Sequence, residues 1–250
     1  MFLYRLNFLV LLAVTATLIY GYQFPDAFKR CHFSDPNLDS CLDSTIENAF
    51  QIIGGSGIAS LNLPPIDPAK FTSMVIGAGT SAVNLVQNYH DVKVIGFSKI
   101  KVKDSHYDSQ KNTLEFSSLH PEIRQEAKYD INGKILVIPV FGKGDSIITL
   151  RDVTIVHTVT FEKKTKNNRA HFTVKSYDMK ITIKGAHFDF RNLFNGNEKL
   201  SDNIHKVVNE NWNVIYEDVR EGVQKAYGEA FKLVTNEFFE KIPVDEIFLK

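Results

Sequence analysis

Residues 200–238 read LSDNIHKVVNENWNVIYEDVREGVQKAYGEAFKLVTNEF, a single amphipathic pattern almost forty residues long. Leu200, Ile204, Val207, Val208, Trp212, Ile215, Val219, Val223, Tyr227, Phe231, Val234 and Phe238 recur every three or four positions. Asp202, Lys206, Glu210, the Glu217-Asp218 pair, Glu221, Lys225 and Glu229 fall between them as a solvated face. Ser201 or Asp202 supplies a capping side chain, and no proline intervenes before Pro243. At ~1.5 Å per residue the pattern predicts one helix roughly 60 Å long, against about 11–12 residues for an ordinary globular helix. An apolar stripe of that length needs an equally long surface to cover it.

The residues upstream supply such a surface. Residues 39–53 form an amphipathic helix with Leu42, Ile46, Ala49, Phe50 and Ile53 on one side, ended by Gly54, Gly55 and Gly57. Residues 58–68, with Pro64, Pro65 and Pro68, make an extended connector that cannot be helical. From Val92 the chain alternates. Val92, Val94, Ile100 and Val102 read as a strand with an irregularity near Gly96. Residues 114–116, 123–129 and 135–141 follow as short strands, with turns at Asn132-Gly133 and at residues 142–145. Residues 147–161 and 171–183 are longer strands joined across the polar segment 163–169. Val153, Ile155, Val159 and Phe161 share a face. Phe172 and Val174 share another, which Met179, Ile181 and Ile183 continue after a one-residue shift, the mark of a β-bulge. Short helix, antiparallel meander, long helix: the order predicts an α+β fold in which a strongly curved antiparallel sheet wraps the C-terminal helix. No internal repeat or linker divides residues 22–250, which read as a single domain.

Residues 1–21 read as a secretory signal: a basic start, an almost wholly apolar run from Leu6 to Ile19, and small Gly21. That run is shorter than the roughly 20 residues a membrane span needs, so the expectation is a secreted, extracellular protein without stable membrane insertion. The 29 basic and 29 acidic residues balance and argue against a nucleic-acid partner held by net charge. A hydrophobic content of 44%, including 19 Phe and 9 Tyr, implies that some apolar surface faces a cavity rather than other side chains. Cys31 and Cys41 are the only cysteines, most simply one structural disulfide in an oxidising compartment, with a metal site or thiol nucleophile as the alternatives.

Motifs for chemistry are few. Gly77-Ala78-Gly79-Thr80-Ser81-Ala82 fits the dinucleotide fingerprint in isolation. It lacks the acidic residue about twenty positions on and is followed by a meander, so it reads as a flexible glycine-rich turn near a cavity mouth. No nucleophile elbow, zinc motif or phosphate loop is present, and no catalytic residue, metal ligand or cofactor is assigned. His157 lies on an apolar strand face, where a satisfied core or pocket residue is the ordinary reading. Strand and helix faces nominate Val153, Ile155, His157, Val159, Phe161, Phe172, Val174, Tyr177, Met179, Trp212, Ile215 and Phe231 as the lining of such a cavity. Tyr177, His157 and Thr160 are its candidate polar groups.

Cys31 and Cys41 with nine residues between them, Gly54 to Gly57, the connector from Leu63 to Pro68, the block Leu193-Phe194-Asn195-Gly196-Asn197-Glu198-Lys199-Leu200, and Asn209-Glu210-Asn211-Trp212 occur in that order. Together they resemble the insect takeout and juvenile-hormone-binding protein family across essentially the whole mature chain. The resemblance implies a secreted, non-enzymatic carrier enclosing a hydrophobic tunnel for a terpenoid, fatty acid or other lipid, acting as a monomer. The lepidopteran hormone carriers have a second disulfide for which this chain has no cysteines, which places it nearer the takeout branch. Hormonal, chemosensory, feeding-related and rhythmic roles stay open, as does any receptor. Two other classes compete: an interaction protein at a membrane or receptor surface with lipid as filler, and a lipid-modifying enzyme.

Overall fold

The computed structural model describes residues 24–249; the signal reading of residues 1–21 lies outside the described residues. Among the described residues seven strands build one antiparallel sheet: β1 (Ala69–Ile76), β2 (Val83–Ile95), β3 (Lys101–Asp108), β4 (Thr113–Ile135), β5 (Ile138–Lys166), β6 (Arg169–Thr182) and β7 (Gly185–Phe190). The helices are α1 (Leu38–Ser56), α2 (Glu198–Glu210), α3 (Trp212–Phe239) and the short α4 (Val244–Ile247).

Two strands set the shape. β4 has 23 residues and β5 has 29, and they pair along their whole shared length from Thr113↔Thr160 to Ile135↔Ile138. Each is long enough to take two neighbours on its other edge. β4 carries β3 and then β2, while β5 carries β7 and then β6. Right-handed twist accumulates over strands this long, and the sheet rolls around α3. Its inner positions alternate as pleating requires: Val153, Ile155, His157, Val159 and Phe161 are all buried. On β6 the register slips between Thr160↔Ser176 and Phe161↔Val174, leaving Lys175 as the extra residue. This is the bulge anticipated from the switch between Val174 and Met179. It keeps Phe172 and Val174 inside together with Tyr177, Met179 and Ile181.

Several expectations fail, each for a local reason. Asn132-Gly133 is not a hairpin; both residues lie within β4, and the chain reverses at Leu136-Val137. Gly133 is needed for close approach, since a Cβ there would strike the backbone and side chain of Leu85 and the Asn84 carbonyl. Residues 142–145 are likewise strand. A Cβ on Gly142 or Gly144 would meet the segment from Arg191 to Leu193 crossing over β5, which is tied there by Tyr129 OH donating to the Arg191 carbonyl at 2.7 Å. The segments at 114–116 and 123–129 are one continuous strand, and the connector admits a single 3₁₀ turn at Ala59–Leu61. Val92 and Val94 lie in β2 and Val102 in β3, with Ile100 in the connection between them.

The long helix is two helices. It breaks at Asn211, whose φ and ψ are −109° and 25° and whose side-chain amide donates to the Val207 carbonyl at 2.8 Å. Such local side-chain bonding competes with regular helix. α2 also has a separate anchorage along β7. Asn209 accepts from the Phe188 N–H at 2.7 Å and donates to the Phe188 carbonyl at 3.0 Å, while His205 Nε2 accepts from the Phe190 N–H at 2.9 Å. A straight helix would have to give up either those edge bonds or the path of α3 through the roll. Among the described residues no helix is long and apolar enough to cross a membrane.

Candidate ligand-binding site

α1 docks by its polar side. Asp43 and Glu47, one turn apart, accept from the Ser105 and Val102 N–H groups of β3 at 2.9 and 3.1 Å. They satisfy part of the β3 edge opposite β4, which has no strand partner among the described residues. Lys101 bridges to Glu47 at 2.7 Å, which holds that carboxyl below the usual carboxylate range. With its polar side committed to β3, the helix turns Leu42, Ile46, Ala49, Phe50 and Ile53 inward. The Cys31–Cys41 disulfide, with Cα atoms 5.9 Å apart, ties the N-terminal segment to the first turn of α1.

Beneath this helix lies a cavity of about 460 Å³. Its walls are the inner face of α1, Leu63 to Ile66 of the connector, Leu114 and Phe116 of β4, Val159 and Phe161 of β5, and Phe172 and Tyr177 of β6. The C-terminal turns of α3, from Ala230 to Phe239, close the remaining side. Phe24, Phe28, Ile247 and Phe248 join from the chain ends. Exposed Lys29, Lys70 and Leu233 also reach its wall.

Of the residues nominated from sequence, Val159, Phe161, Phe172, Tyr177 and Phe231 face this cavity. Val153, Ile155, Val174, Met179 and Ile215 instead pack in the main core, with Trp212 half-buried against it. The reason is direction. β6 runs antiparallel to α3, so the Val174 N–H meets Asn236 at 2.6 Å, while Tyr216 OH reaches the Ile181 carbonyl at 3.0 Å. Phe172 and Val174 therefore oppose the C-terminal end of the helix, not Trp212 and Ile215, which lie roughly 24–28 Å back along it from Phe231. Thr160 is one residue out of phase with Val159 and Phe161, so it points away from the interior. The α1 face and the connector were not nominated, although the stripe beside the disulfide was visible; an amphipathic helix does not announce whether its apolar side meets protein or ligand.

One buried polar chain stands behind the cavity wall. His157 stacks on Phe116 with ring centroids 4.2 Å apart, and its Nδ1 is 2.9 Å from Tyr177 OH. Its Nε2 is 2.8 Å from Ser118 Oγ, which is also 2.8 Å from His120 Nε2, and His120 Nδ1 faces the Gly96 carbonyl at 3.4 Å. Burial holds both imidazoles far below the ordinary value, His120 at about 4 and His157 at about 3, the latter helped by His120 itself. Both are neutral at physiological pH. Ser118 and the histidines resemble catalytic parts, but His120 and His157 are 2% and 1% exposed and none of the three lines the cavity.

The glycine-rich turn at residues 77–82 lies away from the cavity, between β1 and β2, and it is pinned. Asp218 accepts from Thr80 and Ser81, through both backbone and hydroxyl, and from the Val83 N–H. The pair Glu217-Asp218 is thus not simply a solvated face.

Comparison with known proteins gives one consistent picture. Residues 8–249 match the model of the haemolymph juvenile hormone binding protein family. The circadian clock-controlled protein daywake of Drosophila melanogaster is 31% identical over 235 residues, covering 91% of this chain and 89% of its own. Daywake of Drosophila yakuba is 29% identical over 233 residues, covering 90% and 88%. The crystal structure of Epiphyas postvittana Takeout 1 superposes with a TM-score of 0.77 at 22% identity, covering 88% of this chain and 99% of that one.

Proposed function

We propose that this chain, which belongs to the haemolymph juvenile hormone binding protein family, is a secreted carrier taking one small hydrophobic ligand reversibly into the cavity beneath α1. The observation that carries the reading is that cavity: about 460 Å³ walled by aromatic and aliphatic side chains from α1, the sheet and α3. Sites of this size and character bury most of a small apolar ligand and use a few polar groups to orient it. No covalent step is needed. Moving a lipid chain from water into such a space gains about 0.8 kcal/mol per methylene. The ligand class is a terpenoid, a fatty acid or another lipid of similar length. The apolar leader at residues 1–21 and the Cys31–Cys41 bridge both favour an extracellular site of action. The carrier is proposed to act as a monomer, with no nucleic-acid partner and no inserted membrane segment. The name of the Drosophila relatives makes a rhythm-linked role one of those to be examined.

The test is uptake. Purified protein is incubated with a panel of terpenoids, fatty acids and quinones and weighed by native mass spectrometry, alongside protein isolated from its own tissue. A one-to-one complex with an apolar compound is expected. Failure to retain any of the panel, with no lipid carried from tissue, would end the carrier reading.

A further inference from the structure

We propose that Tyr177 presents the cavity with a hydrogen-bond acceptor, so that the carrier selects an apolar ligand bearing a hydroxyl group over one bearing an ether or ester oxygen. This rests on the carrier reading above and adds the chemistry of the ligand's polar end.

The protons along the chain Tyr177–His157–Ser118–His120–Gly96 have only one consistent placement. The Gly96 carbonyl can only accept, so His120 carries its proton on Nδ1 and donates to it. With one proton on a neutral ring, His120 Nε2 is then an acceptor. Ser118 has a single hydroxyl proton between two imidazole nitrogens, each 2.8 Å away. It gives that proton to His120 Nε2 and must accept from His157 Nε2–H. His157 Nδ1 is consequently bare, and Tyr177 donates to it across 2.9 Å. The opposite sense would set an unprotonated Nδ1 of His120 against the Gly96 carbonyl, two lone pairs facing each other in a buried site. The chain therefore runs one way.

Tyr177 is the one member of this chain that lines the cavity. Its proton is spent inward, and what its oxygen has left is a lone pair. Two other hydroxyls on the cavity wall share this polarity. Thr45 Oγ1 lies 3.3 Å from Cys31 Sγ, and a disulfide sulfur has no hydrogen, so Thr45 is the donor. Tyr107 OH donates to Asn112 Oδ1 at 3.4 Å. A ligand O–H meets these oxygens favourably. An ether or ester oxygen placed against Tyr177 meets a lone pair and loses its water without replacement.

Displacement of the hydrocarbon reporter diphenylhexatriene from the whole protein tests this with tetradecane, tetradecanol and tetradecyl methyl ether. The alcohol is expected to displace at a concentration about tenfold lower than the ether, the scale of one hydrogen bond made against one denied. In Tyr177→Phe, which removes the acceptor oxygen, that ratio should fall close to one. In His157→Phe, which returns the tyrosine proton to the cavity, it should move toward the ether. Equal affinity for alcohol and ether in the unmodified protein, or an undiminished ratio in Tyr177→Phe, overturns the inference while leaving the carrier reading intact. If neither reporter nor alkane enters the unmodified protein, both fall together.

Discussion

Asp218 on α3 accepts the backbone N–H of Val83 at 2.6 Å, and so holds the turn between the first two strands against the helix the sheet encloses. The same carboxylate takes Thr80 and Ser81, making it the hub of the glycine-rich turn. Gly79 makes the approach possible, because a Cβ there would overlap the Asp218 carboxylate. Burial alone would raise the Asp218 pKa and is the largest single effect. The donors from Val83, Ser81 and Thr80 together outweigh it and bring the group to about 2.

Removing that charge should therefore loosen the sheet edge. Asp218→Asn is expected to lower stability by about 1–3 kcal/mol, read from the denaturant midpoint. Because the native pKa lies below the unfolded one, the carboxylate's contribution is complete above about pH 4 and is lost as pH falls through about 2. The variant should lack this acid-sensitive component. An Asp218→Asn protein with the parent's midpoint at both pH 6 and pH 3 would show that the hub is ornamental.

The histidines behind the cavity act in a higher window. Both are neutral when folded, with pKa values of about 4 and about 3, whereas unfolded histidine titrates near 6.5. Between about pH 6.5 and pH 4 the unfolded chain binds protons that the native one refuses. Stability must therefore fall with decreasing pH over that range. For His120 alone the full effect is on the order of 3 kcal/mol. Denaturant midpoints measured at pH 7 and pH 5 should separate clearly, and His157→Phe should narrow the gap. A midpoint independent of pH over this interval is incompatible with two buried neutral imidazoles.

Cys41→Ser is expected to cost about 2–3 kcal/mol, since the bridge closes a short loop. Its effect should extend to the cavity, because Cys31, Leu42 and Thr45 all line it. Reporter affinity should weaken along with thermal stability. An unchanged affinity in the folded variant would mean that α1 is positioned by Asp43 and Glu47 alone.

What was legible in the sequence follows from what each signal measures. Period-two burial from Val153 to Phe161 and the phase slip after Val174 are properties of the chain itself, and they located the inner face of β5 and the β6 bulge correctly. Gly133, Gly142 and Gly144 misled because glycine serves close approach as readily as it serves turns, and only the neighbouring segments decide which. Asn211 misled because its break comes from one side-chain bond and from anchors on a strand over twenty residues away in the chain. Asp218 looked like surface because its partners lie some 135 residues upstream. The cavity was half legible. Strand phase found Phe161, Phe172 and Tyr177, but which stretch of α3 stands beside them depends on the antiparallel course of β6, which no periodicity records.

Two tryptophans would separate cavity from core. Ala49 on α1 is half-buried and faces the cavity, so Ala49→Trp should fill ligand space and cut reporter affinity by about tenfold or more with little loss of stability. Ile215 is 5% exposed in the packed core away from the cavity, so Ile215→Trp should cost about 1–3 kcal/mol by overpacking. Its ligand affinity, measured where the variant is fully folded, should stay near the parent's. The contrast depends on position along the roll rather than on residue chemistry, since both changes introduce the same side chain on an inward-facing helix surface. If Ile215→Trp lost binding and Ala49→Trp kept it, the ligand would occupy the interior beside the N-terminal half of α3. The space under α1 would then be an unfilled vestibule.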